Sequence, residues 1–280
     1  MEYNRRIQNY GKEWGYVMRL EICGAQVDVT FGGEGQRAAL LLHGWGCSAQ
    51  MMSTVFAYLE KHMRVAAIDF PGHGKQGKAL PPPKPWGVEE YMEMTAEVIR
   101  RLDLAPCDIV AHSFGCRVAI LLASTYPELV GRMIFTGAAG IPKPATGKAT
   151  AKHTLYKGLR GAMNALDKAH IFGDLPEKGR EALVQKFGSP DYRVLTPDMR
   201  KTFNKVIGLD LTDRLDKIQA STLLYWGAQD TETPLWMGQL MEEKIPDAGL
   251  VVEEGCGHFA YLEQNAKFLR ITGSFLLEGR

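Results

Sequence analysis

Apolar runs of about five residues alternate with amphipathic stretches along the first half of the chain. Short continuous runs bounded by glycine or polar residues are typical of buried strands, and apolar residues recurring every three or four positions indicate helices. The pattern predicts an opening hairpin around Gly24, further strands at 38–42, 64–68, 108–111 and 130–135, and helices at 52–61, 88–102 and 114–126. This alternation favours an α/β fold, a mostly parallel sheet with helices on both faces.

The strand pattern disappears from about Ile141 to Lys205, where the sequence becomes helical. Apolar residues at helical spacing between Leu155 and Leu166 predict an amphipathic helix within this segment. The alternation then resumes, with strands predicted at 222–226 and 249–253 and helices at 235–244 and 261–277. We therefore predict a core domain of residues 1–140 and 206–280 and an inserted helical cap, or lid, of residues 141–205.

Composition and charge narrow the class of protein. The 45% hydrophobic and 23% charged residues are ordinary for a globular domain, and the net charge of +1 favours neither nucleic acid nor an anionic membrane as a partner. The five cysteines show no CxxC or metal-ligand spacing, and no apolar run approaches the roughly 18 residues of a membrane span. These features predict a cytoplasmic protein with no membrane span and no metal, and they leave the oligomeric state open.

The pentapeptide Ala111-His112-Ser113-Phe114-Gly115 stands where a predicted buried strand passes directly into an apolar helix. This is the context of a nucleophile elbow, a sharp turn that exposes a serine hydroxyl. The turn needs small residues two positions before and after the serine, and Ala111 and Gly115 meet that need. Ser113 is thus the candidate nucleophile. His112 is expected to pack away from it, because neighbouring residues on a strand face opposite sides.

A serine nucleophile needs a general base, and the base needs a carboxylate that orients it. Asp230 and His258 each follow a predicted strand, so both are expected at the same edge of the sheet as Ser113. We predict a catalytic triad of Ser113, Asp230 and His258. Glu232 is the weaker candidate for the acid, because it lies farther into the loop.

The sequence His43-Gly44-Trp45-Gly46 follows another predicted strand. Acyl transfer builds negative charge on the carbonyl oxygen, and preorganised backbone N–H groups stabilise that charge. We predict that the N–H groups of Trp45 and Phe114 form this oxyanion hole. The side chains of Trp45, Phe114 and Phe259 flank catalytic positions and are candidates for an apolar substrate pocket. Bracing of the surrounding loops is the expected role of His43, Asp69 and His73.

Five motifs together resemble the α/β-hydrolase superfamily: HGWG at 43–46, DFPGHGKQ at 69–76, AHSFG at 111–115, WGAQDTETP at 226–234 and GCGHF at 255–259. The chain order of serine, aspartate and histidine is also that of α/β-hydrolases. The resemblance covers nearly the whole chain and implies an eight-stranded, mostly parallel sheet, a helical cap after the sixth strand, and a serine hydrolase without a cofactor. The chain departs from the family's G-x-S-x-G pattern at Ala111.

Hydrolysis of a small-molecule carboxylic ester is the first expectation, since capped esterases of this superfamily carry similar elbows. The alternatives are hydrolysis of a C–C bond in a vinylogous diketone, hydrolysis of an amide, or a ligand receptor that retains a hydrolase pocket. The predicted cap carries thirteen Lys and Arg against six Asp and Glu. This surplus is either a solvated surface or a positive potential that attracts anionic substrates.

Overall fold

The computed structural model describes residues 7–8, 15–74, 79–144, 159 and 175–278 of the 280-residue chain. Part of the predicted cap, residues 145–158 and 160–174, lies outside the described residues, and with it all but Leu159 of the helix predicted between Leu155 and Leu166. The described helices include none that combines the length and apolarity needed to cross a membrane.

The described strands form one sheet in the order β1-β2-β3-β5-β4-β6-β7-β8-β9. The strands are β1 (Ile7–Gln8), β2 (Tyr16–Ile22), β3 (Ala25–Gly32), β4 (Ala38–Leu42), β5 (Arg64–Asp69), β6 (Cys107–His112), β7 (Val130–Thr136), β8 (Thr222–Gly227) and β9 (Ala248–Glu253). β1, β2, β3 and β5 pair antiparallel in turn, and every other pairing is parallel. The predicted sheet of eight strands is confirmed, with the two-residue β1 added at its edge.

The helices lie between and beyond these strands. They are α1 (Ser53–Leu59), α2 (Val88–Arg101), α3 (Phe114–Thr125), α4 (Leu175–Phe187), α5 (Pro190–Arg193), α6 (Pro197–Gly208), α7 (Leu235–Lys244), α8 (Ala260–Glu263) and α9 (Asn265–Leu277). The sequence pattern predicted one final helix, but the backbone turns at Gln264 (φ −116°, ψ 42°) and divides it into α8 and α9. α6 ends at Gly208, so the cap boundary predicted at Lys205 falls inside a helix.

Both faces of the sheet are covered, which explains why the central strands are apolar without interruption. All five residues of β4 are buried. Leu40 packs in the cluster formed with α2 and α3, and Leu41 packs in the opposite cluster formed with α1 and α9. Since both faces are occupied, polar chemistry is confined to the strand ends. The carboxyl ends of β4, β6, β7 and β8 meet at one edge, which we call the catalytic edge.

Candidate active site

Ser113 occupies a strained backbone conformation between β6 and α3, with φ 51° and ψ −108°. A positive φ is uncommon for residues other than glycine, and such strain is typical of functional sites. The Ser113 N–H donates to the carbonyl of Thr136 at 3.1 Å, and the Ser113 carbonyl accepts from the N–H groups of Cys116 at 3.1 Å and Ala139 at 3.2 Å. These hydrogen bonds hold the strained turn in place.

Close approach of the helix to the sheet explains why Gly115 follows the elbow. A Cβ atom at Gly115 would lie 2.5 Å from the carbonyl oxygen of Leu42 and 2.9 Å from that of His43. Real Cβ atoms are essentially never found under 3.0 Å from another heavy atom. The position therefore requires glycine, in agreement with the small residue expected from the sequence.

His258 lies beyond the end of β9 with its ring between Ser113 and Asp230. Its Nε2 is 3.0 Å from Ser113 Oγ, and its Nδ1 is 2.8 Å from Asp230 Oδ2. In the neutral ring, Nδ1–H donates to the carboxylate and Nε2 is free to accept the serine proton. The structure thus brings the three predicted side chains into one hydrogen-bonded row, within the reach that general base catalysis requires.

The carboxylate of Asp230 is buried and accepts several hydrogen bonds at the end of β8. Its Oδ1 accepts from the N–H groups of Glu232 at 2.8 Å and Thr233 at 2.9 Å, and the Thr233 hydroxyl lies 2.8 Å from Oδ2. Burial by itself raises the pKa of Asp230, but the hydrogen bonds from His258 and Thr233 outweigh burial and lower it. Asp230 therefore stays ionised at neutral pH. The Glu232 side chain is exposed.

Trp45 and Phe114 line the same cavity as Ser113. Among the described residues, neither backbone N–H has a hydrogen-bond partner. Both are therefore available as donors, as the predicted oxyanion hole requires. The Trp45 ring contacts that of Phe114 edge-on, with centroids 5.5 Å apart.

Three buried or half-buried polar side chains brace the loop after β4, as expected. His43 Nε2 accepts from the N–H of Phe70 at 3.1 Å, and Nδ1 lies 2.7 Å from the Gly44 carbonyl. His73 Nδ1 accepts from the N–H of Gly46 at 3.1 Å. Burial lowers the pKa of His43 to about 4 and that of His73 well below its usual value, so both rings are neutral at pH 7. The third, Asp69, accepts from the Ala49 N–H at 2.8 Å.

His112 does not face away from the site, contrary to the expectation from strand alternation. Its ring lies 4.7 Å from that of His258, centroid to centroid, and its Nδ1 is 3.0 Å from the carbonyl oxygen of Thr136. Alternation fails here because the chain leaves the strand direction at Ser113. Burial, together with the nearby His258, lowers the pKa of His112 to about 3. A neutral His112 ring therefore packs against His258.

Ser113 and His258 open into a cavity of about 730 Å³. Its apolar lining includes Trp45, Phe114, Ile141, Phe203, Val206, Ile207, Met237 and Phe259, so the three predicted pocket residues are among those that line it. Arg117, Lys143 and Glu232 also line it. The sequence analysis missed Arg117, because a single arginine in an apolar helix does not show which way its side chain points. In the described ranges, no group of three or more His, Cys, Asp or Glu side chains is placed to hold a metal ion.

Comparison with known proteins agrees with this architecture. The chain is 27% identical over 245 residues to 2-hydroxy-6-oxo-2,4-heptadienoate hydrolase of Pseudomonas putida, covering 85% of this chain and 88% of the relative. It is also 27% identical over 255 residues to pimeloyl-[acyl-carrier protein] methyl ester esterase of Neisseria meningitidis, covering 84% and 92%. A crystal structure of a hydrolase from Pseudomonas aeruginosa superposes with a TM-score of 0.70 at 22% identity, covering 93% and 98% of the two chains.

The family assignment rests on a match over most of the chain. The sequence profile described as the alpha/beta hydrolase family matches residues 39–271. This range spans all the motifs noted above, from the loop after β4 to the loop that carries His258. The chain therefore belongs to the alpha/beta hydrolase family.

Proposed function

We propose that this hydrolase cleaves a carboxylic ester of a small molecule through an acyl-enzyme on Ser113. The observation that carries the proposal is the hydrogen-bonded row of Ser113, His258 and Asp230, which borders a largely apolar cavity. A serine hydroxyl is a weak nucleophile by itself, and the His258 imidazole, with Nε2 3.0 Å from Oγ, is placed to activate it.

In the acylation step, His258 Nε2 removes the hydroxyl proton of Ser113 as Oγ attacks the ester carbonyl carbon. The carbonyl oxygen becomes an oxyanion, and the N–H groups of Trp45 and Phe114 stabilise it. Asp230 stabilises the imidazolium. The tetrahedral intermediate then collapses: the C–O bond to the alcohol breaks, the alkoxide takes the proton from His258, and the acyl group stays on Ser113.

In the second step, water replaces the alcohol. His258 takes a proton from the water as it attacks the acyl carbon, and the oxyanion forms again in the same hole. Collapse returns the proton to Ser113 Oγ and releases the carboxylic acid. The chain's own residues thus complete the cycle.

The choice of an ester as substrate rests on two arguments. Without protonation, an alkoxide is a better leaving group than the nitrogen anion of an amide or a carbanion, so esters need the least assistance from the protein. One relative of similar length is an esterase that acts on a methyl ester. We also propose that residues 141–205 form a cap over the site, because side chains of α6, including Phe203, line the cavity.

Hydrolysis of a C–C bond is the second candidate, because another relative is a 2-hydroxy-6-oxo-2,4-heptadienoate hydrolase. A panel of activated esters of varied acyl length, amides and a vinylogous diketone, run beside Ser113→Ala, separates the candidates. We expect the fastest turnover on an ester and none by the variant. Turnover of the diketone alone would favour C–C hydrolysis, and a burst without turnover would favour a ligand receptor.

A further inference from the structure

Arg117 is a buried cation in the wall of the cavity that contains Ser113. It lies on α3 four residues after Ser113, about 6 Å along the helix axis. Only 7% of its surface is exposed, and it lines the cavity together with Val206, Ile141 and Met237. Most of the other side chains that line this cavity are apolar.

The guanidinium of Arg117 has little compensation within the protein. Its Nη1 donates to the carbonyl oxygen of Leu209 at 2.7 Å, which places it beside the end of α6. Among the described residues, no carboxylate oxygen lies within 4.0 Å of it. The negative charge of Asp210 raises the pKa of Arg117 through space, without a direct ion pair. The Asp210 carboxylate instead accepts hydrogen bonds from the N–H and hydroxyl of Thr212. Arg117 is thus buried beside a neutral carbonyl.

Burial of such a charge is unfavourable unless it is paired. Burial lowers the pKa of Arg117 to about 10, so the side chain still carries its charge at neutral pH. A guanidinium has five N–H donors, and only the bond to Leu209 uses one within the described part of the chain. The Arg117 nitrogens that have no partner among the described residues keep some solvent access. Arg117 lines the cavity, which is where a ligand would meet these nitrogens.

We propose that Arg117 binds a carboxylate carried by the substrate, so that the preferred ester has an anionic group beyond its scissile bond. This inference rests on the proposed function and names its substrate class. A buried cation in a cavity that also has many apolar side chains suits an aliphatic chain that ends in a carboxylate. Arginine binds carboxylates through two parallel N–H bonds, which fixes both the position and the orientation of such a chain.

The other charged residues of the cavity provide a matched control. Lys143 also lines the cavity, but its Nζ donates to the carbonyl of Thr231 at 2.9 Å in an exposed contact. Glu232 is exposed. A screened, exposed cation contributes little to binding, whereas a buried one contributes more. Lys143→Met therefore removes a cavity cation without removing the proposed site.

The kinetic test compares kcat/KM for methyl hydrogen adipate, which is anionic, with that for dimethyl adipate, which is neutral. We expect the wild type to prefer the monoester, and Arg117→Met to lower this preference by about 10- to 100-fold, the range for hydrogen bonds to a charged group. Lys143→Met should leave the preference unchanged, and Arg117→Lys should retain part of it. Monomethyl esters from succinate to suberate, and acetate esters of hydroxy acids, identify which side of the ester carries the carboxylate.

Equal losses on both esters in Arg117→Met would overturn the inference and leave Arg117 as a brace for Leu209. The inference would also be overturned if the wild type hydrolysed dimethyl adipate through Ser113 but showed no preference for any anionic ester. That result would leave the proposed function intact. Calorimetric binding of methyl hydrogen adipate to Ser113→Ala, with and without Arg117→Met, makes the same comparison without turnover. Equal affinity of the two proteins would refute the site even if no ester is hydrolysed.

Discussion

The catalytic edge and the helices that border its cavity are held in different ways. At the edge, Asp230 accepts two hydrogen bonds from the buried Thr233, and a Cβ atom at Gly115 would collide with Leu42. We call α4 to α6, residues 175–208, the roof. Arg200 on α6 pairs with the exposed Glu181 on α4 at 2.7 Å, and Lys205 reaches the carbonyl of Pro85 at 2.8 Å.

This difference separates two tasks. Acyl transfer needs distances held to fractions of an ångström, and only buried, mutually constrained groups hold them. Selection of a substrate needs a wall whose shape and charge can change without disturbing those distances. The roof supplies Phe203, Val206 and Ile207 to the cavity. We therefore expect substitutions at the edge to affect chemistry strongly and those in the roof to affect it weakly.

The largest effect is expected at the carboxylate of the edge. Asp230→Asn should lower kcat by about 10⁴-fold, because the amide holds the His258 ring in the wrong tautomer. Glu232→Gln is the matched control, since its side chain is exposed and, within the described part of the chain, forms no hydrogen bond or ion pair with His258; kcat should hardly change. Steady-state kinetics on one activated ester measures both, and reversed behaviour would mean that the carboxylate is misassigned.

Acid should weaken the edge through its buried histidines. His43 and His112 have pKa values lowered to about 4 and about 3, and that of His73 is also lowered. Below pH 6.5 these histidines bind protons in the unfolded chain, whereas in the folded protein the buried rings stay neutral until a lower pH. The free energy of unfolding should therefore fall as the pH drops from about 6.5 toward about 4, by up to about 1.4 kcal/mol per pH unit for each histidine.

Urea unfolding at several pH values measures this slope. In a folded His43→Asn variant the free energy of unfolding should depend less steeply on pH than in the wild type. Substitution of the exposed His62 by asparagine should leave this dependence unchanged. A slope that is the same in all three proteins would contradict a neutral, buried His43.

Close packing at the elbow predicts a smaller effect on stability. Gly115→Ala places a methyl group 2.5 Å from the Leu42 carbonyl, and we expect a loss of about 1 to 3 kcal/mol together with reduced kcat. Gly249→Ala on β9 is the control, because nothing lies within 4 Å of its Cβ position. Thermal unfolding compares the two variants, and an equally stable Gly115→Ala would show that the elbow is not tightly packed.

The smallest effect is expected in the roof. Glu181→Gln removes the ion pair with Arg200, and because the Glu181 side chain is exposed we expect a loss below about 1 kcal/mol in the free energy of unfolding. The kcat for a neutral ester should stay unchanged. A large loss of kcat in this variant would show that the roof contributes to the catalytic step, and it would contradict the distinction between the two regions.

The sequence predicted the edge better than the roof for a physical reason. Strand ends carry fixed signals: a buried apolar run, then a small residue, then a polar one, as at Ala111 and Ser113. Packing constraints leave few alternatives there, so the fold and the positions of Asp230 and His258 could be predicted. A roof helix shows only its amphipathic pattern, which does not say which side chain reaches the cavity.

Three contacts of the site were beyond the sequence reading. Thr233 supports Asp230 through both its N–H and its hydroxyl, yet a threonine in a loop carries no local signal. His112 contacts His258 because the chain turns at the end of β6, where strand alternation no longer applies. Arg117 was hidden in an apolar helix whose orientation only the tertiary structure defines.

Reaction with a serine-directed fluorophosphonate tests the central claim most directly, because only a serine activated by a base reacts at neutral pH. Peptide mass spectrometry should locate a single adduct on Ser113. Labelling should be lost in Ser113→Ala and slowed in Asp230→Asn, while circular dichroism shows that both variants are folded. An adduct that persists in Ser113→Ala, or a folded wild type that does not react, would contradict the assignment of Ser113 as the nucleophile.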